Sequence, residues 1–513
     1  MGPQGNDANT TNQAQNKSTP WLTLEKSMSS MAGGDTLIIL DGVYTGTKNV
    51  INQTAHPPNG SPDSYTIIKA ENEGNVLFDG ENIQLMFNLN GGGPCNYIEF
   101  RGLKWGNTRI GYNNGPAVLI TYLDHCKFFR CGAFQAADGN ASAWNITYSS
   151  YLLFEECYGW GSGRYKFIAF NCDYIVFRRC VGRNDAINTN QPIAVFQDYV
   201  SRHVEFQNCI AADSNIIEFL TGGTTDSIEG SFTTHPPTTV GGQSKSTDNG
   251  FWRGCISINE ATHAFTTSPG STNLTIEDFV VWKADQGIRG NGDTTVSIRN
   301  ATIGNIACNN IADVTSCGHG VYNWNSAYGI YNSIIYNASN YGLRGVAASD
   351  YNLLYGNTID YLGVTPGAND LSVSVGQIIN PLTGVPGNGN AALKYPIRIE
   401  GNSDIGGADI GATVMTKTGA SGTLYGETGY NTDTGEALWP FPYEEQIRAD
   451  MRTYNPGGGD ATMPDGRRGF CADGTGLYGG PITLTSYIWE CLGNPLPPEI
   501  YGPPASPDNL RVQ

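Results

Sequence analysis

Between Phe128 and Asn357 one short phrase recurs nine times: a large apolar residue, two mostly polar residues, then a small or apolar one. The matches are Phe128-Phe-Arg-Cys131, Phe154-Glu-Glu-Cys157, Phe177-Arg-Arg-Cys180, Phe206-Gln-Asn-Cys209, Trp252-Arg-Gly-Cys255, Ile276-Glu-Asp-Phe279, Ile298-Arg-Asn-Ala301, Tyr331-Asn-Ser-Ile334 and Leu354-Tyr-Gly-Asn357. Their closing residues fall 26, 23, 29, 46, 24, 22, 33 and 23 positions apart. A floor near 22 with occasional longer gaps predicts a coil of fixed circumference whose loops vary, which is a solenoid.

The rungs read as strands. Asp173-Tyr-Ile-Val-Phe-Arg-Arg-Cys180 and His203-Val-Glu-Phe-Gln-Asn-Cys209 place apolar residues at alternate positions, the period of a pleated strand. β-Branched and aromatic residues fill such stretches, and Gly, Asn, Asp and Ser separate them. A helical repeat would need a dozen positions with apolar residues three and four apart, more than these stretches hold. One coil cannot bury its own face, so neighbouring coils must stack.

Composition agrees, with 66 Gly, 27 Tyr and only 15% charged residues. A length of 513 would normally mean several domains, but a solenoid grows by adding rungs. The net charge of −18 opposes nucleic-acid binding, which needs clustered Lys and Arg. No apolar run is long enough to span a membrane. The polar, Gly-rich opening Met1-Gly-Pro-Gln-Gly-Asn-Asp is not a signal peptide; it reads as a mature start and says little about location.

Twelve cysteines are present, and Cys131, Cys157, Cys180, Cys209 and Cys255 share one position of successive rungs. Rungs about 4.8 Å apart would allow cross-rung disulfides, but a stacked ladder of small buried thiols is the simpler expectation. Cys308 with Cys317, and Cys471 with Cys491, fall in loop-rich segments and are the better disulfide candidates. No Cys-x-x-Cys pair supports a metal or haem site.

Residues 1–20, rich in Asn, Thr and Gln, read as an extended lead-in. Leu24, Met28 and Met31 then form one helical stripe, ended by Gly33-Gly34, and Thr36-Leu-Ile-Ile-Leu-Asp-Gly-Val-Tyr44 follows as the first strand. A short amphipathic helix at that point caps the open end of a coil. The Trp21-x-x-Leu24 helix, the Gly34-Asp35 turn and a strand ending Gly42-Val-Tyr44 resemble the opening of right-handed parallel β-helix proteins of the pectate-lyase-like superfamily. The resemblance covers about residues 20–415, where Gly407-Ala-Asp-Ile-Gly-Ala-Thr-Val414 is similar to a closing strand.

It implies an all-β fold, a right-handed parallel β-helix with an N-terminal capping helix. Residues 21–415 form the capped coil, 416–497 a mostly irregular extension with two short helices folded back along it, and 498–513 a Pro-rich linker. The last residues, Asp508-Asn-Leu-Arg-Val-Gln513, resemble the first strand of a fibronectin type III domain and hint at a longer, secreted or cell-surface parent. The superfamily includes lyases, hydrolases, esterases, epimerases and non-catalytic phage or surface proteins, so the fold names no reaction.

The longest gap holds a Gly/Thr/Ser-rich insertion, Thr221 to Gly250, of the kind that walls a groove. Beside it lies a dense basic island: Arg164, Lys166, Arg178, Arg179 and Arg183, with Arg202 one rung on. Strand alternation puts Phe167 and Ala169 inward and Lys166 and Ile168 outward. In an acidic protein such an island is a seat for a carboxylated sugar, because Arg pairs with carboxylate in a bidentate fork. The alternative is a charge ladder in which these cations pair with Glu155, Glu156, Glu205 and Asp173 on adjacent rungs.

If the island is catalytic, the expected reaction is β-elimination on a uronate polysaccharide: a cation neutralises the C6 carboxylate, a base removes the C5 proton, and the glycosidic oxygen leaves. The resemblance implies Lys or Arg as base, often with Ca²⁺ held by acidic residues. On that footing Lys166 is the base, and Arg164, Arg183 or Arg202 bind carboxylate. Tyr165, Trp160, Arg178, Arg179 and Gln197 are candidate substrate contacts, and Asp185, Asp198 and Asp213 candidate Ca²⁺ ligands.

Two other readings stand beside it. Two carboxylates about 5–9 Å apart would hydrolyse a glycoside, with Asp185 and Asp198, or Glu218 and Asp213, as nominees. A non-catalytic adhesin would need only exposed Tyr and Trp to stack on sugars. His203, beside Arg202, and His319, in the turn Cys317-Gly-His-Gly320, read as turn neighbours without a second ligand at metal spacing.

Overall fold

The repeated phrase marks one side of a three-sided coil. The computed structural model describes residues 1–53, 55–89, 95–108, 115–134, 136, 141–185, 194–214, 230–292, 295–308, 317–324, 327–373, 410–453, 469–472, 474–476 and 480–492. A representative turn runs through strands Ser150–Glu155, Tyr158–Trp160 and Tyr165–Phe170. The next runs through Asp173–Arg178, Val181–Gly182 and Ala194–Tyr199, each strand parallel to its predecessor. First strands make a 13-stranded sheet, and second and third strands together a 23-stranded one. The coil is right-handed, the hand that parallel crossovers adopt.

Leu37, Ile68, Phe100, Phe128, Phe154, Phe177, Phe206, Trp252, Ile276, Ile298 and Ile330 stand in one register column of the first sheet. The Phe128 and Phe154 rings stack with centroids 4.8 Å apart. Seven of the nine phrases therefore share this column. The eighth slips by one residue, since Ile330 fills the place expected for Tyr331, which pairs with Arg299. The ninth is on another side: Leu354 pairs with Ile335, and Ser349 takes the column position. A large-x-x-small pattern does not distinguish one apolar face of a coil from the next.

The second polar residue of the phrase makes the corner. Arg130, Glu156, Arg179, Asn208, Asp278 and Asn300 all have φ between 49° and 59°, and Gly254 takes φ 64°. This left-handed conformation ends the strand and turns the chain. The following Cys131, Cys157, Cys180, Cys209 and Cys255 are free, buried and stacked. Cys180 Sγ donates to Phe154 O and Cys209 Sγ to Phe177 O, each at 3.3 Å. Burial pushes the Cys131, Cys180 and Cys255 thiols well up. Cys308 and Cys317 are joined. Cys471 and Cys491 are not, because one faces Arg183 and the other Lys283.

Helix Leu24–Ser29, N-capped by Thr23, covers the first turn with Leu24 and Met28. The preceding residues are not extended as expected. Helix Thr11–Ala14 forms within them, Trp21 Nε1 donates to Asn9 O, and the buried Met1 amine donates to Ile38 O at 2.9 Å. They cover the edge of strand Thr36–Ile39, which would otherwise be open.

Residues 410–417, 438–453, 469–472 and 480–492, with helices Glu444–Thr453 and Leu484–Cys491, run along the second side, while Leu424 between them packs on Phe129, Leu153 and Val176 of the first. On the second side Leu438, Trp439, Ile447, Phe470 and Trp489 share an apolar cluster with Tyr158, Val181, Ile210, Ile256 and Val280. The expected closing strand is partly outside the described residues. Its remainder, 410–414, is no strand but lies on the coil, with Gly411 N donating to Asn332 O and Ala412 N to Thr302 Oγ1. The Pro-rich tail and the fibronectin-like start lie outside the described residues. No described helix is long and apolar enough to cross a membrane.

Candidate functional site

The basic island does not form a surface. Phe167 and Ala169 point inward and Lys166 outward, as the alternation requires, but Lys166 is fully buried. Its Nζ donates to the carbonyls of Gly161, Ser162 and Gly163 at 2.7, 2.9 and 3.0 Å. Three donated hydrogen bonds require an ammonium, which has no lone pair to accept a proton. Lys166 as placed is a loop support, not the base expected.

Arg178 and Arg179 are equally enclosed. Arg178 Nη1 lies 3.2 Å from Glu155 and 2.7 Å from Ala420 O, and Nη2 lies 2.8 Å from Tyr430 O. Arg179 pairs with Glu155 and Glu156 at 2.5 and 3.2 Å. Burial opposes the Glu155 charge, but Arg179 and Arg178 outweigh it and hold the carboxyl below its usual range. Ser421 Oγ and Gly422 N donate to the same carboxylate. This cluster clasps residues 418–430 to the coil and leaves no room for a sugar.

Arg183 is buried against Asp185 at 2.8 Å and donates to Met451 O. Arg202 is exposed but forked onto Asp173 at 2.8 and 3.0 Å. The charge-ladder alternative thus describes Arg178, Arg179 and Arg202, with the first two buried rather than solvated. Trp160 is also buried, stacked on Phe134 at 4.6 Å beneath the C-terminal segment, and offers no face to a sugar.

The three acids do not converge on a cation. Asp198 is in register with Ala169 on the inward face, where burial pushes its carboxyl well up and Ser201 N donates to it. Asp185 faces Arg183 and Gly161 N. Asp213 accepts from Tyr487 Oη at 2.5 Å and Asn259 Nδ2 at 2.7 Å. Among the described residues no group of three His, Cys, Asp or Glu could hold a metal ion. The trio does not fit Ca²⁺. The pair Asp185 and Asp198 is likewise split between outer and inner faces, and Glu218 lies outside the described residues.

The third side assembles a different row. Ile168, Gln197, Thr233, Thr266, Arg289, Tyr322 and Arg344 stand in one register column. They alternate with the inward Phe167, Phe196, Phe232, Phe265, Ile288, Val321 and Leu343, so the row faces outward. Gln197 and Thr233 are buried and bonded to each other at 2.6 Å. Arg289 and Arg344 are half-buried and reach the surface. Tyr165 and half-buried Arg164 lie at the far end of this side, the guanidinium over the ring.

Each arginine of the row rests on an imidazole. Arg289 Nη1 is 3.4 Å from His263 Nε2, and Arg344 Nη1 is 3.1 Å from His319 Nε2. An arginine N–H only donates, so both Nε2 atoms are acceptors, the proton sits on Nδ1, and each ring is neutral. Among the described residues no carboxylate pairs with Arg289. Arg344 also lies over Tyr322, 4.5 Å from its ring centre, with Tyr341 at 5.7 Å. Trp324 stands beside Tyr322 and is 59% exposed.

Strands Ile256–Thr267 and Val280–Asn291, which run through the second and third sides without a break, supply His263 and Arg289. A register shift between Glu260 and His263 turns His263 toward Arg289. Guanidinium forks can hold an anion, and the phenols can move protons.

Sequence reading missed Arg289, Arg344 and His263 and treated His319 as a turn residue. The available signal was local: Ile288-Arg289, Val321-Tyr322 and Leu343-Arg344 each follow an inward apolar residue with an outward polar one. No cysteine or phenylalanine anchors these strands in the sequence, so the first-side phrase could not align them.

No protein-family model matches the chain, and no curated protein does. Among solved structures, a pectate lyase, Pel9A, is 12% identical over 85% of this chain and 95% of its own, with a TM-score of 0.44. An alginate lyase from Paenibacillus sp. is 12% identical over 59% of this chain and 95% of its own, with a TM-score of 0.39. A lacto-N-biosidase from Eubacterium ramulus is 7% identical over 72% of this chain and 66% of its own, with a TM-score of 0.43. Likeness of this degree carries no argument, and the coil stands on its own strand register. The chain is a right-handed parallel β-helix.

Proposed function

We propose that the protein cleaves an acidic polysaccharide by β-elimination on the outer face of the third side. The observation that carries this reading is Arg289, oriented by the neutral His263 and paired with no carboxylate among the described residues. A guanidinium fixed by an uncharged partner keeps its full charge for a ligand. Arg289 binds the C6 carboxylate of a uronate and stabilises the charge that develops when the C5 proton is lost. Tyr322, next in the same column, is the proton-transfer group. The Tyr322 oxygen takes the C5 proton while its own hydroxyl proton passes to the leaving glycosidic oxygen, the C5–H electron pair becomes the C4=C5 double bond, and the C4–O bond breaks with its electrons on that oxygen.

The Cys308–Cys317 disulfide supports an oxidising, extracellular setting, where such polymers occur. Pectate, alginate and glycosaminoglycans, each incubated with and without Ca²⁺, test the reading. Ultraviolet absorbance of the unsaturated uronate is expected with at least one polymer, and its loss in Arg289→Gln. A second reading has one observation in its favour. Glu260 and Asp285 are buried carboxylates on neighbouring turns, with Glu260 in register with Ala284. New reducing ends without absorbance would assign hydrolysis to that pair. Binding with neither product would leave an adhesin.

A further inference from the structure

We infer that the corner between the third and first sides binds a neutral sugar chain laid along the coil axis. This site is separate from the third-side row, and Arg289 has no part in it.

The long insertion after the fourth phrase supplies one wall. Its strands Thr238–Val240 and Gln243–Lys245 pair antiparallel into an arm. Arm and corner bound a cavity of about 450 Å³, lined among others by Asn171, Asp173, Arg202, Lys245, Asp248 and Thr272. That size is ordinary for a small-molecule site.

The cavity carries no net formal charge. Arg202 and Asp173 close on each other in a fork. The other two charged groups are held by uncharged partners. Lys245 Nζ donates to Asn171 Oδ1 at 2.6 Å and pairs with no carboxylate among the described residues. Asp248 accepts from Thr272 Oγ1 at 2.6 Å, Asn249 Nδ2 at 2.7 Å and Asn273 Nδ2 at 3.0 Å. An ammonium has three hydrogens to donate and a carboxylate about four lone-pair sites, so each keeps capacity for a ligand. Sugar hydroxyls both donate and accept. One can donate to Asp248 while its neighbour accepts from Lys245. An acidic ligand would gain at Lys245 and lose at Asp248, whereas a neutral one satisfies both.

The surface leading away from the cavity suits the same ligand. Tyr148 and Tyr122 hold the corner position one and two turns before Asn171, at φ 49° and 60°. They are 39% and 48% exposed, with ring centroids 5.6 Å apart. Three positions further along each turn stands a second aromatic row, His125, Tyr151, Tyr174 and His203, stacked at 4.6, 4.7 and 4.7 Å. Between the rows lie Asp124, Ser150 and Asp173, in register. Aromatic edges with a polar floor match a pyranose chain, which has apolar ring faces and hydroxyl rims. One 1,4-linked unit is about as long as one turn is high. A chain whose end fills the cavity therefore lays its next units on Tyr148 and then Tyr122.

Calorimetric titration of the whole protein with xylo-, cello-, manno- and galacto-oligosaccharides of two, four and six units tests this. At least one neutral series should bind. Lys245→Met and Asp248→Asn should each weaken every length about tenfold, the worth of one hydrogen bond to a charged group. Tyr148→Asn removes the ring but tolerates the left-handed corner. It should weaken the hexasaccharide about threefold and leave the disaccharide unchanged. Arg289→Gln should alter none of these affinities.

Binding by no neutral series overturns the inference. So does neutral binding that persists in both Lys245→Met and Asp248→Asn, which puts the sugar elsewhere. Oligogalacturonate binding that survives Arg289→Gln but is lost in Lys245→Met would make the corner a seat for acids and overturn it too. Where the cavity variants lower the thermal midpoint, Tyr148→Asn decides, and an equal loss at every length, or none at six units, counts against the site.

Discussion

Two sets of arginines stand on outward positions of this coil, and they differ in what lies beneath them. Arg178, Arg179 and Arg183 rest on Glu155, Glu156 and Asp185, and carbonyls of the C-terminal segment close over them. Arg289 rests on an imidazole, with no carboxylate paired to it among the described residues. A carboxylate partner neutralises a guanidinium and makes it a fastener. An imidazole orients it and leaves the charge. Density of cations in an acidic chain is therefore a poor guide to where an anion binds, because a dense island attracts the chain's own carboxylates first.

The largest expected effect breaks the fastener. Glu155→Ala leaves Arg178 and Arg179 buried without their shared acid, which should cost about 3–5 kcal/mol in denaturant unfolding. A change below about 1 kcal/mol would show that the clasp holds nothing. The pH dependence has a definite sign. Arg179 and Arg178 hold the Glu155 carboxyl below its ordinary 4.5 against the cost of burial. Its contribution is therefore present above that value and lost as pH falls through the lower folded value. Acid unfolding should be steeper in the native protein than in Glu155→Gln.

Next comes the imidazole-held set. Arg289→Gln should reduce turnover by about 10²–10³-fold, the usual loss for one preorganised charge donor, with thermal stability unchanged. Arg289→Lys keeps the charge but loses the fork and should fall between. If Glu155→Ala and Arg289→Gln exchanged effects, one losing turnover and the other stability, the distinction between the two sets would collapse.

Much of the fold was legible because a coil repeats its physics. Phe128, Phe154, Phe177 and Phe206 advertise one column, and the corner residue after each strand, such as Arg130 or Asn208, recurs for a conformational reason. The slip at Ile330 and the misplaced Leu354 show the limit, since any apolar pair fits the phrase. The site was less legible. Outward orientation of Lys166 follows from alternation, but its three carbonyl partners come from a loop whose path no periodicity encodes. Nor could spacing reveal that residues 418–430 return, more than two hundred positions later, to cover Arg178.

Lys166 offers a sharper contrast at intermediate size. Lys166→Met removes an ammonium from three buried carbonyls and should destabilise the protein by about 2–3 kcal/mol. Lost turnover without lost stability would return Lys166 to the chemistry and reduce the third-side row to a binding surface.

The smallest effect concerns a corner acid with no guanidinium seated on it. Asp278 occupies the corner position that Glu156 and Arg179 hold on earlier turns, with φ 50°. Thr413 N donates to its Oδ1 at 3.3 Å, tying the C-terminal segment to the coil. Burial pushes its carboxyl up to about 7; the Thr413 bond opposes the shift, Glu277 adds to it, and Arg253 opposes it in turn. A carboxyl raised in the folded state contributes stability that is full below its ordinary 3.8, falls as pH rises from there, and is gone above about 7. Asn at this corner tolerates a left-handed φ and stays neutral at every pH. Asp278→Asn should match the native protein below about pH 4 and exceed it progressively as pH rises toward 7, by on the order of 1 kcal/mol at pH 8, discounted for partial exposure of the site. Thermal midpoints measured across that range decide it. Parallel curves would mean that Asp278 ionises freely, and that an acid on this corner needs no cation beneath it.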